Sequence, residues 1–152
     1  IISVLEHVTD PIDFLKNLKV LLKKRGRIII ECPSINDPLV QLYGNQSYKN
    51  FYYRPVHINY FNKTHLKKIV KFSNLKLIKT FSVLVYSITN HLGWHFNNKG
   101  SSDSEGATNI KFKHLKKQNL LQKIFSKIND VYFHELSKQD YADMEIVICE
   151  KK

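Results

Sequence analysis

Three features of this chain predict an α/β fold. Residues 27–32 (RIIIEC) form an apolar run without alternation, a helix-spaced leucine series stands directly before it, and another apolar run (IISVL) occupies residues 1–5. Strand, helix and strand in such quick succession make a βαβ unit, whose crossover sets the two strands parallel in one sheet. A continuous apolar run, unlike an alternating one, reads as a strand covered on both faces.

Each element has its own signals. Residues 1–5 read as the end of a buried strand. Asp10 is a good N-cap, Pro11 fits the first helical position, and Asp13 places negative charge in the first turn. Leu15, Leu18, Leu21 and Leu22 recur at helical spacing, and Gly26 stops the helix as a C-terminal glycine. Pro33 closes the strand at 27–32. Residues 33–61 are irregular and rich in Tyr, Asn and Pro, so this stretch is functional or holds short helices of its own. Asn62 caps a helix that runs through Leu66, Ile69 and Val70 to Phe72. Residues 75–88 are strand-like, and the aromatic-rich NHLGWHF (90–96) reads as a turn after them. NNKGSSDSEGATN (97–109) is polar, Gly/Ser-rich and expected to be mobile. A helix carrying Leu120, Leu121, Ile124, Phe125 and Ile128 follows, and MEIVICE (144–150) is a final strand. With no internal repeat and no linker, residues 1–152 are expected to form one domain.

Composition narrows the function. Of 152 residues, 43% are hydrophobic and 24% charged, the balance of a globular protein and not of a disordered one. No apolar stretch approaches the roughly 20 residues that span a bilayer, and no signal-peptide pattern opens the chain. Cys32 and Cys149 lie in apolar runs without metal-ligand spacing, as buried, reduced thiols in the cytoplasm would. The net charge of +11 invites a basic, non-enzymatic module that binds nucleic acid or an anionic surface. Against it, Lys16, Lys19, Lys23 and Lys24 fall between the apolar positions of one helix. Lys67, Lys68 and Lys71 do so in a second, and Lys116, Lys117 and Lys123 in a third, which makes solvated faces. Only SYKNFYYRP (47–55) interleaves aromatic and basic residues as a nucleic-acid surface does.

In order, these segments resemble a known family. SVLEHVTDPIDFLKNLKVLLKKRGRIIIECPS (3–34) is similar to the second half of a class I S-adenosylmethionine-dependent methyltransferase domain. There a fourth strand ends in a Leu-Glu-His-Val-type segment, an Asp-Pro-capped helix follows, and a fifth strand ends in Pro-Ser. HINYFNKTHLKKIVKFSNLKLIK (57–79) resembles the family's His-x-x-x-Phe segment, helix and sixth strand, and 144–150 its seventh. Residues 89–143 match weakly and read as an insertion. The resemblance implies a Rossmann-like sheet: three parallel strands at about 1–5, 27–32 and 75–86, with 144–150 inserted antiparallel. The five glycines never form a Gly-x-Gly, so the turn that holds the cofactor in the family's first half is missing. The chain therefore reads as the C-terminal portion of such a domain, inactive by itself.

The resemblance also implies a site. In open α/β sheets, ligands bind beyond the carboxyl ends of the strands, where Glu6, His7, Pro33 and Ser34 fall. The family pattern runs Ser3, Val4, Leu5 and Glu6 along S-adenosylmethionine, the expected cofactor. Methyl transfer to oxygen or nitrogen needs alignment and a place for the acceptor's proton. His7 has a suitable side chain, and the family pattern carries His57 back towards the site, so both are expected to be catalytic. The alternative is that Glu6 and His7 only cap and orient the next helix. Pro33, Ser34, Tyr43 and Tyr60 are expected to line the pocket of a small-molecule or sugar-containing acceptor, since sugar rings stack well on aromatic residues. Some related enzymes bind a divalent ion through Glu-x-x-Glu-His. Here Ser3 stands at the first position, a carboxylate is missing, and no metal is expected.

Overall fold

The computed structural model describes residues 1–99 and 118–152, which fall into two units. Ile1–Ile35, Tyr53–Val83 and Met144–Lys152 form the first, Asn36–Tyr52 and Leu84–Asp143 the second. In chain order the elements are α1 (Pro11–Leu21), β1 (Arg27–Pro33), α2 (Pro38–Gln41), α3 (Gln46–Tyr52), α4 (Lys63–Phe72), β2 (Leu75–Val83), α5 (Ile88–Asn97), α6 (Gln118–Lys138) and β3 (Met144–Lys151). Most of the stretch expected to be mobile, residues 100–109, lies outside the described residues.

In the first unit, α1 starts where its signals place it. The Asp10 carboxylate accepts from the amides of Ile12 (3.0 Å) and Asp13 (2.9 Å), and Pro11 follows as the first helical residue. Leu15 is fully buried in the core, and the partly buried Phe14, Leu18 and Leu22 pack against that core. The helix ends at Leu21, before Gly26, and Arg25 takes the left-handed conformation (φ 62°) expected of the glycine. Gly26 answers a different need. Its amide donates to the Lys23 carbonyl (2.8 Å), and a Cβ there would sit 2.8 Å from that same oxygen. Close approach, and not a positive φ, is what requires glycine at this position.

The sheet has the order β1-β3-β2, with β3 antiparallel to both neighbours; Ile30 faces Val147 and Phe81 faces Ile146. β1 and β2 thus point the same way on either side of β3. Among the described residues parallel pairing is confined to the isolated bridges Ile2–Glu31 and Ser34–Phe61. The strand expected at 1–5 is correspondingly reduced. The Ser3 amide donates to Glu31 and the Glu31 amide to Ile1, but Ser3 is left-handed (φ 49°) and a 3₁₀ turn takes Leu5–His7. One positive φ is enough to end an extended run.

β1 is likewise not covered on both faces. Ile28, Ile30 and Cys32 are buried, whereas Ile29 is 55% exposed. With Leu66, Val70, Leu75, Val147 and Cys149 these inward residues build the core between the sheet, α1 and α4. Asn62 caps α4 as expected, its side chain accepting from the His65 amide (2.9 Å). Lys67, Lys68 and Lys71 are exposed on that helix, as solvated lysines should be. Both cysteines are buried and free; burial, and then the charges of Glu6, Glu145 and Glu31, push the Cys32 thiol up.

In the second unit, Asp37 caps α2, accepting from the amides of Leu39 (2.8 Å) and Val40 (3.2 Å). NHLGWHF lies inside α5 and is not a turn: the Ser87 hydroxyl accepts from the Asn90 amide and starts the helix there. β2 stops at Val83, short of the expected residue 86, because the amides of Val85 and Tyr86 donate to the Asp143 carboxylate and not to a ladder. Trp94 packs against Tyr48 and Phe51, and the Asn45 side-chain amide donates to the Trp94 carbonyl (2.8 Å).

Candidate functional site

At the carboxyl-end side of β1, in the first unit, residues 54–59 are fastened to residues 6–8. The Asn59 amide donates to the Glu6 carbonyl (3.1 Å), its side chain donates to the Val8 carbonyl (2.6 Å), and His7 Nδ1 donates to the Val56 carbonyl (2.6 Å). A turn closed by the His57 amide on Arg54 (3.0 Å) then aims His57 at the same point. Glu6, His7 and His57 each bring one ligand-capable atom within 4.8 Å of the others. The two imidazoles meet edge to face, 4.8 Å between centroids, and Tyr60 stands 6.0 Å from His57 with Tyr53 against it.

The electrostatics of this trio follow from burial. Glu6 is 1% exposed, and neither carboxylate oxygen has a hydrogen-bond partner among the described residues. Burial pushes its carboxyl up, partly offset by its own backbone amide and by His7. A carbonyl only accepts, so the Val56 bond fixes the proton of neutral His7 on Nδ1 and leaves the lone pair on Nε2. That Nε2 lies 4.0 Å from Glu6 Oε1. His57 Nδ1 is buried without a partner among the described residues, and burial, helped by the charges of His7 and Arg54, holds its imidazole below the usual value. A carboxyl shifted up beside an imidazole shifted down is an arrangement suited to exchanging protons near neutral pH. As ligands, two imidazoles and one carboxylate would hold zinc or manganese more readily than magnesium.

The other expected site residues separate by role. Ser3 and Val4 are exposed beside the trio in sequence, whereas the Leu5 side chain is fully buried in the core. The carbonyls of Val4 and Leu5 accept from the amides of His7 and Val8. Pro33 ends β1, and Ser34 is buried, its hydroxyl donating to Glu145 Oε1 (2.8 Å). Tyr43 belongs to the second unit, its hydroxyl 3.0 Å from that of Tyr132. Glu145 went unnoticed in the sequence. It lies on the inward parity of β3, alternating with Val147 and Cys149, and accepts from Ser34 and from Ser82 (2.7 Å). A carboxylate on the buried parity of an apolar strand was its signal.

The family model for a methyltransferase domain matches residues 1–80, more than half the chain and every member of the Glu6–His7–His57 trio. This chain belongs to the methyltransferase domain family. No curated protein matches its sequence. Among solved structures, 10 chains match, including a SAM dependent methyltransferase from Archaeoglobus fulgidus with a TM-score of 0.52 and 18% identity. That likeness covers 99% of this chain and 57% of the other, so this methyltransferase-family chain spans little more than half of its structural relative. Such a likeness establishes a Rossmann-like α/β fold for the chain, with its described strands gathered in the small antiparallel sheet above.

Proposed function

We propose that this chain is the acceptor-facing, C-terminal portion of an S-adenosylmethionine-dependent methyltransferase acting on a small-molecule or sugar-containing acceptor in the reducing cytoplasm. In that reading β1, β2 and the extended residues before Leu5 stand for the parallel strands of the complete sheet, with β3 inserted antiparallel. The observation that carries the proposal is the convergence of Glu6, His7 and His57, inside the matched region, around one buried, unpartnered carboxylate.

The residues fit a cationic methyl donor. A buried carboxylate without a donor partner is costly unless positive charge or hydrogen bonds reach it, and the donor brings both. Bound there, S-adenosylmethionine supplies an electrophilic methyl group on a sulfonium. Ser3 and Val4 remain exposed to meet it, while Leu5 fixes the backbone by its burial. His7 Nε2, its lone pair set by the Val56 bond, accepts the proton of the acceptor's hydroxyl or amine. His57, held neutral by burial, stands beside His7 as the second proton acceptor. Tyr60, with Pro33 and Ser34, supplies acceptor contacts.

The test uses a domain completed with a cofactor-binding half. His7→Ala should lower turnover at saturating donor by about 10²–10⁴-fold, the usual contribution of a positioned base. Its urea midpoint should move little. Near-normal turnover with a lowered midpoint would make His7 a structural residue.

A further inference from the structure

Apart from the Glu6 trio, the second unit holds a continuous polar chain that methyl transfer leaves unused. Asp143 precedes β3 and is 2% exposed; one oxygen accepts from the amides of Val85 and Tyr86. Its other oxygen, Oδ1, has no hydrogen-bond partner among the described residues and faces His91 Nε2 at 3.6 Å. His91, on α5, is 0% exposed, and its Nε2 is likewise unpartnered. On its far side Nδ1 lies 2.6 Å from the hydroxyl of Tyr132 on α6, which lies 3.0 Å from the hydroxyl of half-buried Tyr43.

The chemistry of the inner end gives this chain a direction. A carboxylate accepts and does not donate, so the imidazole proton belongs on Nε2, facing Asp143. A lone pair there would oppose the carboxylate and leave two buried polar atoms unmet. Nδ1 is then an acceptor, and the Tyr132 hydroxyl must donate to it. The Tyr132 oxygen in turn accepts from the Tyr43 hydroxyl, whose own lone pairs remain for something outside the chain. Burial, then the bond to Tyr43, pushes the Tyr132 phenol far up, so Tyr132 passes a proton on and does not keep the charge. The His95 ring, tilted against Tyr43 with 5.6 Å between centroids, helps hold its orientation.

We infer that Tyr43 is an activated phenol, the mouth of a Tyr43–Tyr132–His91–Asp143 relay that deprotonates a hydroxyl-bearing small molecule. When the ligand's O–H bond breaks, its proton goes to the Tyr43 oxygen and the electron pair stays on the ligand oxygen as an alkoxide or phenolate. The Tyr43 proton moves to Tyr132, and the Tyr132 proton to His91 Nδ1, leaving an imidazolium beside the Asp143 carboxylate. Tyr43 is the catalytic residue here; Tyr132, His91 and Asp143 position and drain it.

Two measurements on the intact chain test the relay. Nitrogen NMR of His91 should show the proton on Nε2 and a bare Nδ1; a proton on Nδ1 reverses the chain and overturns the inference. N-acetylimidazole, which acylates phenols, should modify Tyr43 about 10²-fold faster in the natural chain than in Tyr132→Phe or His91→Gln, the lower end of what a positioned base supplies. Equal rates in all three proteins overturn it as well. Tyr132→Phe keeps the ring and removes the hydroxyl, so a structural role would leave its acetylation rate unchanged. Should that variant fail to fold, the NMR result on the natural chain still decides.

Discussion

His7 donates from Nδ1 to the carbonyl of Val56 at 2.6 Å, although 49 residues separate them. This bond does two things. It ties the 54–59 segment to the end of the first extended stretch, and it chooses which nitrogen of His7 is basic. Replacing His7 with Asn puts an amide donor where Nδ1 stood, facing Val56, and removes the Nε2 lone pair that faces Glu6. His7→Asn should therefore keep the natural stability in urea to within about 0.5 kcal/mol. In a completed domain it should lose as much turnover as His7→Ala. An Asn variant that retains turnover would show that orientation of the segment, and not proton acceptance, is what His7 provides.

Glu145 joins the ends of all three strands, accepting from Ser34 on one side and Ser82 on the other. Hydrogen bonds to a charged group contribute about 1.5–3 kcal/mol each, so Ser34→Ala should destabilise by about that amount in urea. Ser82→Ala should cost no more, because Ser82 is only partly buried. A Ser34→Ala variant as stable as the natural chain would mean that the hydroxyl serves another purpose.

Asp37 gives stability a pH dependence of known sign. Burial, and then the charge of Asp143, push its carboxyl up from 3.8 to about 7, against the lowering effect of the Tyr48 hydroxyl bond. The folded state thus holds a proton that the unfolded chain releases, and this contribution is present in full below about 3.8. It is lost as pH rises through about 7. His57 works in the opposite sense. Its lowered value means that the unfolded chain binds the proton more readily, so its contribution is present above the ordinary 6.5 and lost on acidification below it. Asp37→Asn retains acceptor geometry for α2 and should flatten the fall in urea midpoint between pH 4 and 7. An unchanged slope would place the titration elsewhere.

Much of the first unit could be read from its residues, because local signals there coincide with the tertiary outcome. Asp10 and Asn62 start their helices by hydrogen bonds that their own side chains accept. The His7–His57 meeting was legible only through the family pattern, since nothing in the intervening residues announces the bond to Val56. Two errors have a common physical origin. Apolar character does not say which face is covered, so Ile29 looked as buried as Ile30; and backbone amides go to whichever acceptor is nearest, so Asp143 ended β2 early. The His91–Asp143 pair joins residues from a helix misread as a turn and a position outside any motif. Neither could be placed before the fold was known.

Metal ions offer a separate check on the trio. If His7 and His57 act as proton acceptors, turnover in a completed domain should persist in EDTA. Added zinc should inhibit instead, because binding to imidazole nitrogen takes the lone pairs that the reaction needs. Inhibition should weaken in Glu6→Gln and His57→Ala, which remove ligands from the set within 4.8 Å. Loss of turnover on chelation, restored by zinc or manganese, would instead make the trio a metal centre.

Cofactor binding by the 152 residues alone is the last expectation. The Glu6 carboxylate can meet the positive end of S-adenosylmethionine, but its ribose and adenine need partners that this chain does not provide from a glycine-rich turn, since its five glycines include no Gly-x-Gly. Each hydrogen bond left to water subtracts from an affinity in which about 1.4 kcal/mol is a factor of ten. Calorimetry on the chain should therefore show binding weaker than about 1 mM, a regime of only about 4 kcal/mol. Adding a cofactor-binding half should tighten it, and Glu6→Gln should weaken it again by removing the charge proposed to face the sulfonium. Micromolar binding to the chain alone would show that its contacts to the donor extend well beyond Ser3, Val4 and Glu6.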